Sequence, residues 1–349
     1  MKFFKDFNLN IPNKYKHNIE NLESDNFYQI FDNVVLSCYF CGKRDPIHHF
    51  ELKDEKQESD NYNYIKPLYD SCKEKDLHLV IFYDILSDKF IEKYSTDKII
   101  FRKTLLLSDL SINDERFIIY YEYLLKNPYK NVLTSDISDV YINKNPFDLI
   151  DNYFIKSDFA QIINSSGFIN SPNIKDKIIN HPQLKFFLEY NSTYFTDKDI
   201  NFIFNAIVAD HEKNRYKIFI GTNSITNKKN WFESRKDKFD SFNKCIKNKF
   251  PVFVSGDYQI YNPGTIMAKY FNYMCFLKNM LEVLFILADK HENTNWNMMI
   301  ATYIIRTFLY EGINEKNACT KYIYTGFPFN SIYKRKEICG KSPNLIIHK

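Results

Sequence analysis

Asn131-Val-Leu-Thr-Ser-Asp136-Ile-Ser-Asp139-Val140-Tyr-Ile142-Asn-Lys-Asn145-Pro146-Phe147 is the stretch around which the 349-residue chain is organised. Its opening is a short, β-branched apolar run that reads as a buried strand and leads straight into two carboxylates. A second short run, Val140-Tyr-Ile142, follows, and Asn145-Pro146 closes the stretch as a turn. Positions i and i+3 of a straight strand face opposite ways, so Asp136 and Asp139 converge only if the chain bends at Ile137-Ser138. A convergent pair makes a hard anionic site suited to Mg²⁺ or Mn²⁺ held together with a substrate's phosphates. The alternative is that both aspartates satisfy turn amides.

Upstream, residues 32–40 form a good buried strand, followed by Cys41-Gly42-Lys43-Arg44-Asp45-Pro46. That loop offers a glycine for close approach and two cations for phosphate, or it is an ordinary solvated turn. A helix over 65–74, a strand over 77–84 and a shorter strand over 97–103 come next. Ser111-Ile-Asn113-Asp114 opens a helix from Glu115 to about Lys126, with Phe117, Ile118, Tyr121, Leu124 and Leu125 on one stripe. Strands alternating with helices predict an α/β, doubly wound, mainly parallel sheet with helices on both faces. Beyond the motif we expect strands over 158–164 and 217–222, and helices over 182–190 and near 230–248. A strand through Asn262-Pro263-Gly264 then leads into a long helix from about Ala268 to His291. Residues 1–31 form an arm, and 32–349 a single domain with a first half to residue 142 and a second half from 143.

A strand ending in Asp-x-x-Asp-Val, then an apolar run and Asn-Pro-Phe, resembles the metal-binding segment of GT-A-fold, nucleotide-sugar-dependent glycosyltransferases. That segment takes forms such as T-D-x-R-D-V-x-F-x-x-[ND]-P-F; Ser138 stands here where many relatives carry Arg. The resemblance covers roughly 32–349 in order and implies a GT-A-like fold, with residues 32–142 binding the nucleotide and 143–349 the sugar and acceptor. It implies Mn²⁺ or Mg²⁺ on Asp136 and Asp139, with a late His, here His348, as third ligand; otherwise His348 is a solvated terminal residue. It implies contacts to the nucleotide at Ser37, Tyr39 and Lys43, with Asp84 facing the ribose, although Asp84 reads equally as a helix N-cap. Arg116 would neutralise the donor's diphosphate; alternatively it pairs with Asp114 or Glu115 on the surface, where its loss would hardly change stability. Asn262 and Gly264 would line the sugar pocket, so that Gly264→Val blocks the sugar and leaves UDP bound. Pro263 replaces an Ala, and Asn297 and Thr302 replace the Asp and Asn of a family helix, which leaves the part played by Asn297 open. The implied reaction is transfer from a nucleotide sugar, UDP-linked as in most metal-dependent relatives, to a glycan, protein or small-molecule acceptor. The alternative is a degenerate fold of this kind that binds a glycan or partner without turnover.

Composition limits the other classes. A hydrophobic fraction of 44% is ample for a folded core. The net charge of +4 is spread along the chain, which argues against a dedicated nucleic-acid binder. The first residues lack the apolar run of a signal peptide. The longest apolar window, 280–288, is interrupted by Glu282 and is too short to span a bilayer. Seven cysteines with irregular spacing suit a reducing compartment, so a cytoplasmic location is expected. Cys38-x-x-Cys41 before His48-His49 could suggest zinc, but no second cysteine pair follows at finger spacing, and buried thiols are the stronger reading. A haloacid-dehalogenase-like phosphatase needs Asp-x-Asp after its first strand, whereas this pair is Asp-x-x-Asp after the fourth. The sequence leaves the oligomeric state undetermined.

Overall fold

The computed structural model describes residues 6–19, 33–43, 58–107, 110–148, 150, 218–222, 236–246, 260–290, 295–309, 323–324, 329 and 346–348. The strand expected over 158–164 and the helix over 182–190 lie outside these residues, as do His48 and His49. Four strands, β1 (Asn33–Tyr39), β2 (Leu79–Tyr83), β3 (Ile99–Lys103) and β4 (Asn131–Ser135), form a parallel block. They are separated by α1 (Tyr62–Glu74), α2 (Asp88–Tyr94) and α3 (Ile112–Lys126). After β4 come β5 (Val140–Ile142), β6 (Ile218–Thr222), α4 (Lys236–Cys245), β7 (Tyr261–Lys269), α5 (Tyr270–Ala288), α6 (Asn297–Phe308), β8 (Ile323–Tyr324) and β9 (Ile346–His348).

The main sheet has the order β3-β2-β1-β4-β7-β6-β8. The chain moves outward from β1 to β3 and returns to place β4 on the other side of β1. Strand order therefore reverses between β1 and β4, and a crevice opens there at the carboxyl ends of the strands. Side chains of successive strand residues go to opposite faces. Val34, Leu36, Val80, Phe82 and Val132 pack with α3, α5 and α6 in one cluster. Val35, Leu79, Ile81 and Leu133 pack with α1 in the other. Both faces are covered, which is why β2 reads as an unbroken apolar run instead of alternating.

Several expectations need correction, although the main sheet is mainly parallel as expected. Strand β7 runs antiparallel to both β4 and β6. It extends to Lys269, so the following helix starts at Tyr270, two residues later than expected. The β6–β7 pairing slips between Ile220 and Gly221, which bulges Pro263 out of the ladder where its missing N–H costs nothing. The helix that Asp84 was read as capping is α2, but its N-cap is Ser87, whose hydroxyl accepts from the Phe90 amide; Asp84 does not cap it. Helix α3 begins at Ile112 with Ser111 as its cap. It is buried nearly all round instead of along one stripe, and Leu125, assigned to that stripe, is exposed. Helix α5 is a single 19-residue segment, long and apolar enough to cross a membrane by length and composition, unlike the shorter window weighed above. It is a core helix: 67% of its apolar window is buried. The segment 6–19 packs on the core, with Tyr15 stacked on Phe285 and the Tyr121 hydroxyl donating to the Phe7 carbonyl.

Candidate metal and ligand site

Strand β4 ends at Ser135, and the chain bends over 137–139 before β5 begins. This is the bend that the two carboxylates require. Two bonds fix it: the Asp136 amide donates to the Gly264 carbonyl at 2.8 Å, and the Ser37 hydroxyl donates to the Ser135 carbonyl at 2.7 Å. Strand β5 leaves the main sheet and pairs antiparallel with β9, with Val140 opposite His348. The Ile142 amide also donates to the Ser71 hydroxyl on α1. A residue 209 positions downstream of Asp139 in the sequence is thus placed beside it by strand pairing.

His348 is buried, and its Nε2 lies 3.4 Å from Asp136 Oδ2 and 3.6 Å from Asp139 Oδ2. Ligand atoms of the three side chains all fall within 4.8 Å of one another. Burial alone would lower the His348 pKa, but hydrogen bonds to Asp136 and Asp139 overcome it and push the imidazole up to about 10. Burial would likewise raise the Asp136 carboxyl, yet the Arg116 charge and the His348 bond hold it well below the usual carboxylate range.

The residues fit a divalent cation. Two carboxylates and an imidazole form a donor set that Mn²⁺ accepts. Asp139 Oδ1 is buried without a hydrogen-bond partner, so its free lone pairs face no amide of the turn. Gly264 leaves the space: a Cβ there would come within 2.4 Å of both Asp136 Oδ2 and His348 Cε1.

A cleft opens beside the cluster. It is lined by Cys38, Phe40 and Tyr64, by Ile112, Asn113 and Arg116 of α3, and by residues 135–139. Arg116 is buried and its Nη1 donates to Asp136, so neither Asp114 nor Glu115 is its partner and it is not a surface residue. Asp114 instead accepts from the Trp296 and Asn297 amides at the start of α6, and Glu115 accepts from Lys43 and the Leu107 amide and meets His17. The expectation that Arg116 contributes little to stability is therefore reversed. Arg116→Ala should cost about 3 kcal/mol of folding stability, the scale of a broken buried ion pair, together with weaker anion binding. Urea denaturation of the variant checks this, and a loss under about 0.5 kcal/mol would return Arg116 to the class of surface pairs.

The other sequence candidates fall into two groups. Asn262 and Gly264 stand at the cluster, with Asn262 Oδ1 accepting from the Gly264 amide at 2.9 Å. Ser37, Tyr39, Lys43, Asp84 and Asn297 hold the scaffold around the cleft. Tyr39 donates to the Glu58 carbonyl and accepts from the Asn61 amide, fixing the start of α1. Lys43 donates to the Leu110 carbonyl and to Glu115. Asp84 accepts from the Cys41 and Gly42 amides, and a Cβ on Gly42 would meet its Oδ2 at 2.5 Å. The Asn297 side chain donates to the Asn113 carbonyl at 3.3 Å and to Asn295 at 2.6 Å. Asn113 itself was missed, although its spacing three residues before Arg116 puts both on one helix face.

No family model matches the chain, and no curated protein matches it. Among solved structures it is similar to galactosyltransferase LgtC in complex with donor and acceptor sugar analogues. The identity is 10% and the TM-score 0.36, over 90% of this chain and 86% of the other. A likeness at that level carries nothing about chemistry.

Proposed function

We propose that this chain is a metal-dependent glycosyltransferase that moves a sugar from a nucleoside diphosphate, UDP by preference, to an acceptor hydroxyl. The acceptor is a glycan, a protein or a small molecule, and the reaction takes place in the cytoplasm. The reading is carried by one observation: Asp136, Asp139 and His348 converge at the sheet's reversal point, with Arg116 beside them. The cytoplasmic location rests on the irregular spacing of the seven cysteines in the sequence.

Asp136, Asp139 and His348 would hold Mn²⁺ or Mg²⁺, which when bound neutralises charge on a departing diphosphate. Arg116 supplies a second positive charge. Its Nη1 is engaged by Asp136 while its Nε is buried without a partner, which leaves the guanidinium a donor for a phosphate oxygen. Breaking the anomeric bond builds positive character on the sugar, by analogy with glycosidases, so the side chains nearest it must tolerate that charge. Asp136 and Asp139 are the only carboxylates lining the cleft among the described residues, and both belong to the cation cluster. An acceptor's base is therefore not assigned to either.

A second reading, nucleotide-sugar binding without transfer, draws on Asn297 and Thr302. Both departures are used in scaffold bonds: Thr302 Oγ1 accepts from the Tyr261 amide at 3.1 Å, and Asn297 bonds Asn113 and Asn295. The two readings separate on release of UDP from a panel of UDP-sugars with Mn²⁺, followed chromatographically. Slow metal-dependent donor hydrolysis supports the transferase, and binding with neither hydrolysis nor transfer supports the second reading.

A further inference from the structure

Asn113 occupies the second position of α3, after the Ser111 cap and Ile112. It lines the cleft, one helical turn before Arg116 and on the same face. Its Nδ2 is buried and has no hydrogen-bond partner. The backbone beneath it is braced by α6: the Asn113 carbonyl accepts from Asn297, and the next residue, Asp114, holds the Trp296 and Asn297 amides at 2.8–3.0 Å. The side chain is therefore displayed from a fixed position.

An amide donor left unsatisfied away from water is costly, and an apolar side chain of similar shape would remove the cost. The position does not need asparagine for the helix, because Ser111 already caps it. A donor kept at the wall of a ligand cleft against its own stability is a donor awaiting an acceptor.

We infer that Asn113 is a specificity-determining residue whose side-chain amide donates to an oxygen of the nucleotide sugar, one helical turn along α3 from the diphosphate that Arg116 holds. The inference rests on the nucleotide-sugar reading above. The acceptor oxygen belongs to one of two parts of the donor: a carbonyl or hydroxyl of the nucleoside, or a hydroxyl of the transferred sugar. The chemistry is the same for both.

The test compares Asn113→Leu, which keeps the branching at Cγ and removes the donor, with Asn113→Ala, which truncates it without burdening the helix. Dissociation constants for UDP and for a UDP-sugar that binds the wild type are measured with Mn²⁺, and thermal unfolding is measured without ligand. The expected result is a tenfold or greater loss of affinity for the UDP-sugar in both variants, with the unfolding temperature of Asn113→Leu equal to or above that of the wild type. Loss for the UDP-sugar alone assigns the oxygen to the sugar, and equal loss for UDP assigns it to the nucleoside. Unchanged affinities in both variants, beside a wild type that binds, overturn the inference and leave the nucleotide-sugar reading standing. A wild type that binds neither ligand with Mn²⁺ overturns that reading and the inference with it.

Discussion

Asp139→Ala should abolish Mn²⁺-supported donor binding while leaving the fold intact. The two halves of this expectation come from the same atom. Asp139 Oδ1 is buried without a partner, so removing it takes away an unsatisfied acceptor and no hydrogen bond made by that oxygen. Asp139 Oδ2 lies 3.6 Å from His348, whose other carboxylate neighbour, Asp136, remains in place. Removing a ligand should cost more than the loss of a ligand's supporting partner, so Mn²⁺ affinity should fall by at least about 100-fold. In EDTA the variant should still unfold cooperatively, with a fall in unfolding temperature no larger than the loss of one of the two carboxylate partners of the protonated His348 brings. Manganese titration beside thermal unfolding checks both halves. If the aspartate satisfies the turn instead, the variant will lose stability and keep its metal.

Gly264→Ala should remove the same binding from the opposite side, again by at least about 100-fold. The sequence reading set Gly264 against the donor sugar, which left UDP binding untouched in Gly264→Val. The structure sets it against the ligands: a single Cβ would come within 2.4 Å of Asp136 Oδ2 and His348 Cε1. Both atoms are at the ends of side chains and can move, so the chain folds while the ligands are pushed apart. UDP held through the metal should be lost along with the sugar. Binding of UDP and of a UDP-sugar by Gly264→Ala, each with Mn²⁺, decides the point. Normal UDP affinity with loss of the UDP-sugar alone would restore the first placement.

What the sequence revealed and what it concealed follow from distance along the chain. The strand before Asp136, the need for a bend at Ile137-Ser138 and the alternation of strands and helices are local patterns, and each is met in the structure. His348 was within reach only as the late histidine that the resemblance implies, and its position opposite Val140 is a pairing register that no local pattern encodes. Arg116 was singled out, yet its burial was not, since α3 is covered on sides that its own periodicity leaves polar. Glu115 shows the same limit. A charged residue on a helix reads as solvated, whereas here Lys43 and His17, brought in from distant segments, neutralise it in the interior. The antiparallel entry of β7 was hidden for another reason: an apolar run ending in a long helix looks alike whichever way the strand is paired.

The central claim is that Asp136, Asp139 and His348 hold a divalent ion through which the chain binds a nucleotide diphosphate. Titration calorimetry of UDP into the wild-type protein, first with excess Mn²⁺ and then with EDTA, tests it most directly. The account predicts saturable binding with Mn²⁺ and none detectable in EDTA. Equal UDP affinity in the two conditions would contradict it.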